Sequence, residues 1–266
     1  MSFSIEGKTA IVTGAANGIG LAIGRHFIEQ GANVMFADMD EDRLNDEFSG
    51  GEEQETARFF AGDLRERLTI NNLVSATIDA FDRIDILVNA ARQILPSDPL
   101  DPDDDSVATM LEQNLTSSFQ LSQRVARRMI KQGVDQEEGQ LGAIINISSI
   151  AARRTQPELL GYSISAAALD QMTRALAVAL APHRIRVNAV AFGSVMSASL
   201  KTALKDNSTF REEIETHTPL QRIASPTELA EAVQYLASDG AGFVTGEIMT
   251  VDGGRTLIDP VCAPAH

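Results

Sequence analysis

Seven short runs of β-branched and aliphatic residues, separated by longer amphipathic stretches, constrain this chain more than any other feature of its sequence. The runs are Thr9–Thr13, Asn33–Ala37, Ala57–Ala61, Ile84–Val88, Ala143–Ser148, Arg186–Val190 and Ile248–Val251, the third being the weakest. Between them, apolar residues recur at helical spacing near 18–30, 65–82, 105–132, 158–181 and 226–238. Strands that read as near-continuous apolar runs are buried on both faces. Alternated with helices, they form a mostly parallel sheet covered on both sides. No repeat or low-complexity linker interrupts the pattern, so one domain is expected over residues 1–266. The acidic Val134–Gln140 and the Pro/Asp-rich Leu95–Asp105 read as surface loops.

Directly after the first run comes Thr13-Gly14-Ala15-Ala16-Asn17-Gly18-Ile19-Gly20, which opens a helix. Glycines there permit a tight turn and let backbone N–H groups approach a pyrophosphate at the helix N-terminus, where the dipole favours an anion. Asp38 follows eighteen residues after Gly20, at the end of the second run. A carboxylate there accepts hydrogen bonds from adenosine ribose hydroxyls and repels a 2′-phosphate, which points to NAD over NADP. Arg43 is close enough in sequence to work against that preference. Gly14, Asn17, Gly18, Ile19, Gly20 and Asp38 are thus candidate cofactor contacts in a Rossmann-type, doubly wound α/β sheet.

Composition narrows the partners. Twenty-two basic against thirty-seven acidic residues give a net charge of −15, which repels phosphate backbones, and the arginine pairs at 127–128 and 153–154 make no basic stripe. Nucleic acid is not expected as a partner. No apolar run approaches the ~20 residues that span a bilayer, so no membrane is expected. The N-terminus lacks the basic-then-apolar order of a secretory signal. Cys262, the only cysteine, excludes an internal disulfide and any zinc site built on several thiolates. No metal is expected, and a reducing cytoplasm fits best.

The spacing TGxxxGxG, in place of GxGxxG, resembles the short-chain dehydrogenase/reductase family, and the likeness continues along the chain. Gly62-Asp63-Leu64 resembles the segment whose aspartate contacts the adenine, and Val88-Asn89-Ala90-Ala91 resembles NNAG, with alanine as its last residue. Asn114 matches the family's helix asparagine, and Ser149 precedes Tyr162 by the family's thirteen residues. Arg186–Val190 and Val251-Asp252-Gly253-Gly254 look like the last two strands. The resemblance implies interconversion of a small-molecule alcohol and carbonyl with NAD(H), a substrate lid near 197–219, and a homotetramer or dimer paired through the helices at 105–132 and 158–181. It makes Tyr162, Ser149 and Asn114 the catalytic candidates. Asp63, Leu64, Asn89, Tyr162, Val195 and Ser197 join the cofactor contacts, Val195 through its backbone and Ser197 in place of threonine.

The chemistry agrees. Hydride transfer needs a proton donor for the developing alkoxide, or a base in reverse, and a phenol does both if it ionises near the working pH. A serine at a strand's carboxyl end reaches the same oxygen, and Asn114 would hold a relay water, as the resemblance implies. Taken singly, Tyr162 reads as core or surface, the serine pair at 148–149 as a helix cap and Asn114 as a satisfied polar group. Their order and spacing favour the site.

Two departures stand out. The family's YxxxK reads Tyr162-Ser163-Ile164-Ser165-Ala166 here. A lysine at i+4 would lie beside the tyrosine on one helix face, stabilising the phenolate and bonding the nicotinamide ribose; alanine does neither. Three readings stay open: an engineered substitution that impairs the enzyme, a surrogate cation with Arg92 as the candidate, or an NAD(H)-binding sensor or scaffold without turnover. The second departure is Phe192-Gly193 where Pro-Gly is usual, with core packing expected for the phenylalanine. Gln93, Arg153 and Arg154 near the expected pocket mouth would suit an acidic substrate, whereas His183 and His217 show no metal or nucleophile pattern.

Overall fold

The computed structural model describes residues 2–48 and 55–259. Its strands are β1 (Thr9–Thr13), β2 (Asn33–Asp38), β3 (Ala57–Ala61), β4 (Ile86–Asn89), β5 (Gly142–Ser149), β6 (Ile185–Phe192) and β7 (Ile248–Val251). They form one sheet in the order β3-β2-β1-β4-β5-β6-β7, every neighbouring pair parallel. The strand order reverses between β1 and β4, and a crevice opens at such a switch point beyond the strands' carboxyl ends. Cys262 lies outside the described residues.

Alternation along each strand sends neighbours to opposite faces. Ala10, Val12, Val34, Phe36, Ile86, Val88 and Ile145 meet Ile23 and Phe27 of α1 (Gly18–Glu29) and Leu229 and Val233 of α9 (Pro226–Ala237). The intervening Ile11, Met35, Leu87, Ile144 and Val187 meet Leu73 of α3 (Arg67–Phe81), and Leu121 and Met129 of α5 (Ser117–Gln132). Each fully buried Leu, Ile or Phe contributes about 1.5–3 kcal/mol. Two covered faces make the doubly wound architecture expected from the sequence.

The remaining helices are α2 (Glu41–Phe48), α4 (Ser106–Met110), α6 (Leu160–Leu180), α7 (Ala198–Asp206) and α8 (Thr209–Thr216). α2 buries only Leu44 and α8 buries nothing, so neither carries the apolar stripe that marks a helix in sequence. Between α4 and α5 the chain takes one π-helical turn, Leu111–Thr116, which contains Asn114.

Contrary to the expectation that no segment reaches membrane-spanning length, the helical stretch Pro157–His183 is long and apolar enough by length and composition, with mean hydropathy 1.2. In the fold, α6 packs against β5, β6 and the π-turn. Its inward face carries the polar Ser165, Asp170 and Thr173 beside Leu169 and Ala177.

Candidate active site

The switch-point crevice is a cleft of about 430 Å³ walled by the carboxyl ends of β1 to β4. Gly14, Asn17, Gly18, Ile19, Gly20, Asp38, Asp63, Leu64 and Ser197 line it, nine of the sequence-derived cofactor candidates. The glycine turn is built by close approach. A Cβ on Gly14 would lie 2.7 Å from Ala91 Cα, and one on Gly20 would lie 2.2 Å from the Gly14 carbonyl oxygen. Gly18, left-handed like Gly14 with φ +57°, differs in its surroundings: a Cβ there would meet no atom within 4 Å. The turn therefore leaves an open cradle at the mouth of α1, whose N-cap Asn17 makes no side-chain capping bond. That is the environment a pyrophosphate requires. Thr13, which the sequence reading passed over, ties the turn to β4: its hydroxyl accepts from the Ala90 and Ala91 N–H groups, each at 3.0 Å.

Asp38 is held in place. Its carboxylate accepts from Ala16 N–H at 3.0 Å and Asp40 N–H at 3.1 Å. Arg43 is turned away to pair with Asp40 at 3.2 Å and does not line the cleft. Asp63 is gripped by Arg65, Nε at 2.9 Å and Nη2 at 2.5 Å from Oδ2. The Arg65 guanidinium holds the Asp63 carboxyl below the usual carboxylate range, against the opposing effect of burial.

Three candidates lie off the cleft: Tyr162, which borders the neighbouring cavity, Asn89 and Val195. Asn89 is 3% exposed, and its amide donates to Ser122 Oγ at 3.0 Å and Asn146 Oδ1 at 2.8 Å, so it braces the floor rather than the ligand surface. Val195 is 3% exposed and forms a β-bridge with Ala224. The Ser197 hydroxyl accepts from Leu200 N–H and so caps α7.

Across β5 lies a second cavity of about 670 Å³ that Ser149 and Tyr162 line together. The final strand residues Ser149 and Phe192 are paired in register, which brings both to the ligand edge of the sheet. Ser149 Oγ accepts from Ala151 N–H at 3.1 Å, so the cap expected as its alternative role is also present. The lid contributes Phe210, Glu213 and His217 to this cavity. Of the residues expected near the mouth, Arg154 lines the cavity, Arg153 donates to Thr250 Oγ1 at 3.0 Å, and Gln93 faces the cofactor cleft. Arg255, whose distance in sequence hid it, joins Arg154 in the wall and donates to Ser194 Oγ at 3.1 Å.

Asn114 sits behind the tyrosine. Its Oδ1 accepts from Gln93 N–H at 2.8 Å, and its Nδ2 donates to the Gln93 carbonyl at 3.0 Å and to Ser165 Oγ at 3.1 Å. The π-turn bulges the helix at this residue, a distortion common at functional sites. Ala166 is buried at 5% exposure beside a void of about 10 Å³ that Asn114, Ser118, Tyr162 and Arg92 also border. Arg92 Nη1 donates to Tyr162 Oη at 3.0 Å, and the guanidinium carbon lies 4.3 Å from the centroid of the Phe192 ring. Phe192 does pack in the core, as expected, and also serves as a platform for a cation, a contact worth about 1 kcal/mol.

Comparison with known proteins gives this geometry a family. The family profile described as enoyl-(acyl carrier protein) reductase matches residues 14–256. An uncharacterized oxidoreductase of Thermotoga maritima is 33% identical, covering 96% of this chain and 100% of its own length. The crystal structure of a putative gluconate dehydrogenase from Agrobacterium tumefaciens superposes with a TM-score of 0.86 at 27% identity, over 97% of this chain and 100% of that one. A 7α-hydroxysteroid dehydrogenase, solved with NADH and 7-oxo glycochenodeoxycholic acid, superposes with a TM-score of 0.84 at 32% identity, over 95% and 96% of the two chains. With its switch-point cleft, open glycine cradle and anchored Asp38, the chain belongs to the short-chain dehydrogenase/reductase family and is an NAD(H)-dependent oxidoreductase.

Proposed function

We propose that the protein interconverts an alcohol and its carbonyl compound in the cavity shared by Ser149 and Tyr162. The observation that carries this is the position of Tyr162: it lines the substrate-sized cavity with Ser149, and its hydroxyl bonds Arg92, which lines the dinucleotide cleft. When bound, NAD(H) supplies the hydride acceptor or donor. Gly14, Gly18 and Gly20 would accommodate its pyrophosphate, Asp38 its adenosine ribose, and Asp63 and Leu64 its adenine. The Tyr162 phenolate takes the hydroxyl proton as an alcohol is oxidised, and the phenol returns it as a carbonyl is reduced. Ser149 donates a second hydrogen bond to the same oxygen, and Asn114 positions the helix behind the phenol and relays the proton outward through water. Arg154 and Arg255 favour a substrate with an acidic group.

The whole chain acts as one unit, in the cytoplasm and as a homo-oligomer. The outward faces of α5 and α6 support the assembly, with Phe119, Ile164 and Val178 exposed, the last at 77%. Light scattering that shows a concentration-independent monomer would remove that part of the reading.

The test is turnover by native protein and Tyr162→Phe on a panel of secondary alcohols, polyols and hydroxy acids, followed by NADH formation. Tyr162→Phe should lose at least ~100-fold while NADH still binds, in keeping with the contribution of general acid–base catalysis. If native protein binds NADH yet turns over no panel member, the non-catalytic sensor or scaffold reading takes its place.

A further inference from the structure

We infer that Arg92 is the cation that stabilises the Tyr162 phenolate, a charge that position 166 does not supply. The inference rests on the reading of Tyr162 as the proton-transferring group. Arg92 Nη1 donates to the phenolic oxygen at 3.0 Å. A guanidinium stays charged at any working pH, and its hydrogen bond to an oxygen favours that oxygen's ionised form. At position 166, one helical turn along α6 from the tyrosine, stands a buried methyl group that offers neither charge nor donor.

A second observation supports the assignment independently. The Arg92 guanidinium carbon lies 4.3 Å from the centroid of the Phe192 ring. Phe192 ends β6 and is 5% exposed, so the platform is a core side chain at a strand end, not a mobile loop residue. A proline at 192 would present no aromatic face to an arginine. The two departures, one at 166 and the other at 192, thereby become one arrangement: the cation has moved from the tyrosine's own helix to the segment after β4, where an aromatic ring steadies it.

The charge is also unspent. Among the described residues Arg92 forms no ion pair, and its remaining N–H groups have no protein acceptor. The other charged or titratable groups around the phenol's cavity are Arg154, Glu213, His217 and Arg255; none of them bonds the phenolic oxygen. Because Arg92 acts through Tyr162, it is a positioning residue, and its test must read the phenol itself.

The sequence permits that reading. Tyr162 and Tyr235 are the only two tyrosines and there is no tryptophan, so a Tyr235→Phe background leaves a single phenol to titrate by its near-ultraviolet phenolate absorbance. In that background, Arg92→Met should raise the onset of the phenolate band by about 1–3 pH units, the effect of removing an opposite charge at contact. Arg92→Lys, which keeps the charge but not the planar fork that lies over Phe192, should place the onset between those of its parent and Arg92→Met. Turnover by Arg92→Met should fall about 10- to 1,000-fold at neutral pH and recover at alkaline pH, as each unit of lost ionisation is a factor of ten. Tyr162→Phe should not recover at any pH. An unmoved band in folded Arg92→Met overturns the inference, whatever the turnover, and Arg92→Gln provides the same comparison if the methionine variant does not fold. A moved band with no turnover in the parent upholds the inference about Arg92 and removes the alcohol oxidoreductase assignment instead.

Discussion

Gly18 and Gly20 stand two residues apart in one turn, yet the structure assigns them different burdens, and alanine at each separates binding from folding. Gly20→Ala places a methyl 2.2 Å from the Gly14 carbonyl oxygen and 2.9 Å from that of Thr13. Both obstacles are backbone and neither can rotate away. The turn itself must shift, at a cost of about 3 kcal/mol or more. Gly18→Ala meets nothing within 4 Å, so its structural cost is confined to a φ of +57°, about 1–2 kcal/mol for an L residue. Its methyl instead occupies space at the wall of the cleft, where the pyrophosphate would lie. Displacing one charge-assisted hydrogen bond worth about 1.5–3 kcal/mol weakens NADH binding at least about tenfold. Urea denaturation and fluorescence titration with NADH read the two quantities separately. Gly18→Ala should lose only about 1–2 kcal/mol of stability and bind NADH poorly, whereas Gly20→Ala should lose more stability than that. Native affinity in Gly18→Ala would mean that the dinucleotide does not cross this turn. Equal destabilisation of both variants would refute the reasoning from local space.

Three further outcomes are expected. Asp38→Ser should narrow the preference for NADH over NADPH at least about fivefold, since a like charge about 4 Å away costs roughly 1–4 kcal/mol at effective dielectrics of 80 to 20; an unchanged ratio in parallel titrations would show that Asp38 does not face the ribose. Burial pushes the Asp170 carboxyl above its ordinary 3.8, although Ser148 donates to it at 2.6 Å. Folding therefore favours the protonated form, and this group's contribution to stability declines as pH rises from 3.8 through the raised value. Asp170→Asn should flatten that decline in melts recorded from pH 3 to 7 (roughly the range this linkage spans), and a steeper decline would reverse the sign argued here. Ala166→Lys should raise native turnover less than about tenfold, because Arg92 already holds the phenol, but should gain about tenfold or more in an Arg92→Met background. A large gain in the native background would count against Arg92 as the cation.

Much of this was legible in the sequence because it depends on short-range order. A strand buried on both faces needs an unbroken apolar run, and Thr9–Thr13 matches β1 residue for residue; the partly exposed edge strands β3 and β7 also coincide with Ala57–Ala61 and Ile248–Val251. The glycine turn could be read because its glycines serve contacts within one loop, and Asp38 because one helix separates it from that loop. α2 escaped notice because it buries a single residue, and α8 because it buries none.

Tertiary structure decided whatever depends on residues far apart in sequence. No local pattern indicates that Arg255 shares a wall with Arg154, or that the Thr13 hydroxyl secures Ala90 and Ala91. The family resemblance placed Asn89 among the cofactor contacts, and the packing of β4 between β1 and β5 engages its amide in a buried network with Ser122 and Asn146. The missing lysine is the sharpest instance. The residues 162–166 record only that a charge is absent. That Arg92, seventy residues before Tyr162, donates to its phenol while lying over a ring one hundred residues further on appears only when β4, β6 and α6 converge at the carboxyl edge of the sheet. Electrostatic interaction falls off with distance in space, whatever the separation along the chain.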